Sequence, residues 1–159
     1  PGQIATWLMV APPRDGEPSQ ELFLSEKQAV LTSLKKRAEI LEKGIRGIKG
    51  MYLEMPQGAM YAFVRFELPE ERGANGGAKP LVTLSPAERA AYEARRDSDY
   101  CMALLEETGI CVVPGSGFGQ IPGTLHFRTT FLPPQDEIEA MVEKLRVFHE
   151  RYVHKLETA

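Results

Sequence analysis

The chain has 159 residues, 43% of them apolar and 26% charged, with 14 glycines and 12 prolines. That is the composition of a globular domain, or of a large piece of a bigger protein, and it excludes a disordered or collagen-like chain. A formal charge of −3 supplies no field toward nucleic acid or an anionic membrane, and no apolar run approaches the roughly 18–20 residues of a membrane span. Two cysteines, Cys101 and Cys111, make no disulfide framework and lack a second Cys/His pair at metal spacing, so both are expected to be buried thiols in a reducing compartment. The first residue is proline, with no basic and apolar leader around it, as at an internal cut.

Residues 1–18 hold Pro1, Pro12, Pro13 and Pro18 with Gly2 and Gly16, which predicts an extended, turn-rich lead-in without a core of its own. Ser19 is a candidate N-cap. Val30, Leu34, Ala38, Leu41 and Ile45 then recur at steps of 4, 4, 3 and 4, the stripe of a helix of about 25 residues. Gly44, Gly47 and Gly50 are expected to end it. A short strand over 51–54, turn residues at Met55-Pro56-Gln57-Gly58, and a strand over 59–68 form a hairpin pattern. The second strand alternates Met60, Ala62, Val64 and Phe66 against Tyr61, Phe63 and Arg65.

Residues 69–84, opening Pro-Glu-Glu-Arg-Gly-Ala-Asn-Gly-Gly-Ala-Lys-Pro, read as a flexible surface insertion. Ser85-Pro86-Ala87-Glu88 is a capping box with proline at the first helical position. Tyr100, Cys101, Leu104 and Leu105 share a helical face, and Gly109 is placed to end that helix in the left-handed conformation. Ile110 to Val113 reads as a short buried strand, 114–119 as a loop, and 124–131 as a strand stopped by Pro133-Pro134. A last helix carries Ile138, Met141, Leu145, Phe148 and Tyr152 on one face. The order predicts an α+β fold, a small and mainly antiparallel sheet covered by helices.

Period 2 along the late strand places Leu125, Phe127, Thr129 and Phe131 on one face and His126, Arg128 and Thr130 on the other. A guanidinium at mid-strand needs an anionic partner, and its planar fork fits a carboxylate bidentately; the alternative is a solvent-facing or salt-bridged arginine. The glycines of Gly115-Ser116-Gly117-Phe118-Gly119 lack dinucleotide spacing and lead into a strand, so they mark a tight turn or a close backbone approach. His149 and His154, beside Glu150 and Arg151, read as a solvated helix face. Among the residues alone, no nucleophile–base pair stands out.

Three stretches taken together carry more. Pro56-Gln57-Gly58-Ala59-Met60-Tyr61-Ala62-Phe63, then Leu104 through Gly119 with its Val112-Val113-Pro114-Gly115-Ser116-Gly117-Phe118-Gly119 run, then His126-Phe127-Arg128, resemble the C-terminal part of the alanine aminotransferases (glutamate–pyruvate transaminases). These are pyridoxal-phosphate enzymes of class I/II, with the aspartate-aminotransferase fold. The resemblance runs in register from the Ser19 helix to the last helix. It implies the small C-terminal domain over 19–159, with 1–18 leading in from a large domain outside the chain. It also implies that Arg128 binds the substrate α-carboxylate, with Gly117 and Ser116 in the substrate-binding loop that closes over it. The implied full-length activity is transfer of the amino group of L-alanine to 2-oxoglutarate, by a homodimer in the cytoplasm or mitochondrial matrix. Pyridoxal 5'-phosphate would be held by the large domain. The resemblance places the family's Schiff-base lysine upstream of Pro1, in the large domain, so this chain alone is expected to be inactive. A relative acting on glutamate with glyoxylate or on aromatic substrates, and a non-catalytic carboxylate-binding module, are the other readings.

Overall fold

A computed structural model describes residues 1–70 and 84–158. Most of the expected insertion at 69–84 therefore lies outside the described residues. Two compact units, Pro1–Lys36 and Arg37–Ala159, meet within one long helix.

The first unit holds α1 (Gly2–Val10) and the beginning of α2 (Gln20–Arg46). Residues 2–10 are thus helical, where the proline content predicts extended chain. Pro1 and Pro12 flank a proline-free stretch of ten residues, nine of them helical. Pro1 takes the cap position, and Pro12 and Pro13 follow the last turn, so none removes an intrahelical hydrogen bond. Ile4, Trp7, Leu8, Met9 and Val10 are all exposed on α1.

The α2 stripe enters a core only at its C-terminal end, where Ala38, Leu41 and Ile45 are buried while Val30 is 58% exposed. Gly44 does not end this helix, which runs on to Arg46. A Cβ at position 44 would lie 2.5 Å from Val142 Cγ1, so the glycine is where the last helix approaches. Gly50, at φ +80°, is the residue that turns the chain into the sheet.

In the second unit, β1 (Met51–Tyr52), β2 (Tyr61–Phe66), β3 (Val113–Pro114) and β4 (Leu125–Thr130) form one antiparallel sheet in the order β1-β2-β4-β3. The hairpin is present, in the register Met51 opposite Phe66. Alternation is kept on both long strands: Ala62, Val64, Phe66, Leu125, Phe127 and Thr129 face inward. The short buried strand expected over 110–113 is instead the two-residue β3 with Val113 exposed, because the alternation turns Val112 inward.

Helix α3 (Pro86–Thr108) is continuous. Ser85 and Glu88 close the capping box, and Gly109, at φ +76°, ends the helix with its N–H on the Leu105 carbonyl. Helix α4 (Gln135–Thr158) supplies Ile138, Leu145 and Phe148 to the core. Tyr100 of α3 is the centre, fully buried, with its ring 4.3 Å from Phe66, 5.2 Å from Phe148 and 5.2 Å from Tyr152.

Two expectations are corrected here. His149 is buried, not solvated: its Nδ1 lies 3.0 Å from the Tyr100 hydroxyl. The charged neighbours Glu150 and Arg151 lie at other angles around α4, and a single histidine on a helix does not disclose which angle is covered. Cys101 is buried as expected, and burial, with the Asp97 carboxylate nearby, pushes its thiol up to about 12. Cys111 is exposed, because the extended segment after Gly109 alternates and turns Val112 inward instead.

Candidate carboxylate site on the outer face of the sheet

The strand alternation that buries one face of the sheet puts Tyr61, Phe63, Arg65, His126, Arg128 and Thr130 on the other. Arg128 stands in mid-sheet, with Phe63 of β2 as its register partner on one side and Val113 of β3 on the other. Its guanidinium carbon lies 4.5 Å from the Tyr61 ring centroid and 4.6 Å from that of Phe118. The two rings hold the guanidinium through cation–π attraction, on the order of 1 kcal/mol each when half-exposed. Among the described residues no carboxylate or carbonyl takes up its N–H groups. The result is a half-buried cation set over two aromatic rings with its N–H donors unspent, which matches a planar carboxylate in two parallel hydrogen bonds.

The glycine run forms one 3₁₀ turn, Gly115–Phe118, closed by Gly119 at φ +69°. This turn places Phe118, whose ring also meets Phe63 edge-on at 5.8 Å. Gly115 is buried against β4: a Cβ there would lie 2.6 Å from His126 Cβ and 2.7 Å from the His126 carbonyl oxygen. The close-approach reading of these glycines therefore holds at position 115. Gly117 is exposed, with nothing within 4 Å of a Cβ.

Beneath the turn lies Asp97 of α3, fully buried. Its carboxylate accepts from the Ser116 backbone N–H (2.8 Å), the Ser116 hydroxyl (3.0 Å) and Gln120 Nε2 (3.0 Å). Gln120 Oε1 in turn lies 3.0 Å from His126 Nδ1, and the His126 ring stacks on Phe63 at 4.7 Å. Burial and the Arg65 charge lower the His126 pKa, opposed by Asp97. An open recess of about 360 Å³ is lined by Phe63, Phe118, Gly119, Gln120, Ile121 and His126, sharing Phe118 with the surroundings of Arg128.

Arg128 thus stands on the outward face that the sequence gives it, with the Gly115–Phe118 turn beside it. The Ser116 hydroxyl points inward to Asp97, away from that face. Sequence reading missed Asp97, Gln120 and the stacking role of Tyr61. One signal was available: Glu93, Asp97, Tyr100, Cys101 and Leu104 recur at steps of 4, 3, 1 and 3, so a carboxylate sits in the apolar stripe of α3. Among the described residues there is no group of three or more His, Cys, Asp or Glu side chains that could hold a metal ion, and no helix long and apolar enough to cross a membrane.

The chain belongs to the aminotransferases of class I and II, whose family model matches residues 18–145. It is 45% identical over 153 residues to alanine aminotransferase 2 of Xenopus laevis, a match covering 96% of this chain and 26% of that protein. Among solved structures, an aspartate aminotransferase from Rhizobium meliloti superposes with a TM-score of 0.62 at 25% identity, over 94% of this chain and 30% of that one. An alanine aminotransferase from Pyrococcus furiosus does so with a TM-score of 0.58 at 25% identity, over 78% and 25%. The chain spans about a quarter of the length of the curated relatives it matches.

Proposed function

We propose that this chain is the small, substrate-carboxylate-binding domain of an alanine aminotransferase. The intact protein would exchange amino groups between L-alanine and 2-oxoglutarate, giving pyruvate and L-glutamate. The single observation that supports the binding role most directly is the Arg128 guanidinium, over the rings of Tyr61 and Phe118 with its N–H groups unengaged among the described residues. All four of those molecules carry a carboxylate next to the reacting carbon. A rigid bidentate clamp on it fixes the reacting carbon, and orientation of that kind is worth several kcal/mol of barrier. Gly117 gives the turn an exposed, unobstructed backbone toward the substrate, and Ser116 fixes that turn from below.

Pyridoxal 5'-phosphate is the coenzyme of this reading, and the residues present here do not fit it. None of the residues that ring Arg128 is a lysine, and the Gly115–Phe118 turn leads toward a strand, not into a helix whose N-terminus could hold a phosphate. The coenzyme therefore belongs to a large domain outside these residues, with 19–159 the small domain and 1–18 its lead-in. The intact enzyme would act as a homodimer in the cytoplasm or mitochondrial matrix.

The test is Arg128→Lys in the full-length enzyme. Lysine keeps the charge and loses the fork, so KM for L-alanine and for 2-oxoglutarate should rise together by about 10- to 100-fold, the worth of one charge-assisted hydrogen bond. Unchanged KM values would remove Arg128 from the site. A panel of amino donors and acceptors on the same enzyme separates alanine from glutamate–glyoxylate or aromatic specificity, which the fold does not distinguish.

A further inference from the structure

Asp97 is a carboxylate with no solvent exposure, and the groups that solvate it are all neutral. Three of its donors come from residues 116 and 120, and the neighbouring Ser98 hydroxyl, at 3.5 Å, is a long fourth. Burying a charge this way is costly unless every lone pair is met, so the arrangement commits α3 to one geometry of one turn. Phe118, whose ring centroid lies 4.6 Å from the Arg128 guanidinium carbon, is midway in the chain between residues 116 and 120.

A second route leads to the same place. Gln120 gives its Nε2 to Asp97, which leaves only its Oε1 to meet His126 Nδ1. That oxygen cannot donate, so the proton of this bond is on Nδ1, and the His126 tautomer is fixed through Gln120 by Asp97. The His126 ring then stacks on Phe63, the register partner of Arg128. We infer that Asp97 and Gln120 are positioning residues for the Arg128 clamp: together they fix Phe118 and the His126–Phe63 stack, and so set where the donor edge of Arg128 points. The inference rests on the reading of Arg128 as the substrate-carboxylate clamp.

The experiment compares Asp97→Asn, Gln120→Leu and Arg128→Lys in the full-length enzyme, measuring KM for both substrates, kcat and the thermal midpoint. Asp97→Asn turns an amide NH2 against a donor that the carboxylate accepts from. It is expected to raise KM for L-alanine and 2-oxoglutarate in parallel, on the order of tenfold, with a much smaller loss in kcat, as a displaced binding group does. Gln120→Leu keeps Ser116 on Asp97 and is expected to give a parallel rise of about threefold, with a thermal midpoint close to that of the parent. A purely structural role would instead lower the midpoint and kcat while leaving KM in place, and that result would overturn the inference. If Asp97→Asn does not fold, Gln120→Leu alone decides. KM unmoved in Gln120→Leu but raised in Arg128→Lys would reject the positioning roles and keep the clamp. KM unmoved in Arg128→Lys would reject the clamp itself.

Discussion

Gly115 shows how one missing side chain shapes the site. A Cβ there would strike Gln120 Oε1 and, in β4, the Cβ and carbonyl of His126, whose backbone sits in the register that carries Arg128. Gly115→Ala should therefore cost about 2–3 kcal/mol in chemical denaturation, in the range of overpacking a filled site. In the full-length enzyme it should also raise KM, because the turn under Phe118 lifts. A variant with parent stability would show that the turn relaxes freely. Asp97 makes the complementary point: a polar residue in an apolar helical stripe is informative, but the stripe gives only its direction, not the donors that meet it.

At the scale of elements, the packing of α2 on α4 passes through Gly44. Alanine at that position normally favours a helix by about 1 kcal/mol over glycine, yet its Cβ would fall 2.5 Å from the stiff, β-branched Val142. We expect Gly44→Ala to destabilise by about 1–2 kcal/mol net. In a Val142→Ala background the same change should stabilise, by up to about 1 kcal/mol. A double-mutant cycle with no coupling would refute the contact. The elements themselves were largely readable: Ser85 and Glu88 start α3, Gly109 ends it, and alternation fixes the inward faces of β2 and β4. Two errors came from punctuation residues. Prolines flanked α1 rather than dissolving it, and Gly44 made room for a neighbour rather than stopping its helix.

For the second unit as a whole, His149 joins elements far apart in the chain. Its Nδ1 meets Tyr100 of α3, and the backbone of Lys49, before β1, lies against its ring. Burial lowers its pKa, with the Lys49 backbone and Glu150 acting in the opposite sense. The unfolded chain then binds the proton more readily than the folded one, so stability is full above the ordinary value of 6.5 and falls as pH drops below it. His126 is shifted in the same direction and adds to that slope. Unfolding free energy measured between pH 7.5 and 5.5, a window spanning the ordinary histidine value, should therefore fall with acid, and His149→Gln should flatten the curve without abolishing it. An unchanged slope would mean that His149 does not titrate with unfolding.

The sequence by itself determined the α+β order, the strand faces, the caps of α3 and the outward direction of Arg128, because periodicity and turn chemistry act over a few residues and are written in them. Only the tertiary structure decided what those faces meet. The burial of His149, the exposure of Cys111, the aromatic faces on Arg128 and the Asp97–Gln120–His126 chain all depend on side chains brought together by the crossing of strands and helices. A local pattern gives an angle around an axis. Whether that angle looks onto water, onto a carboxylate or onto another ring is set by long-range packing, which no local period records.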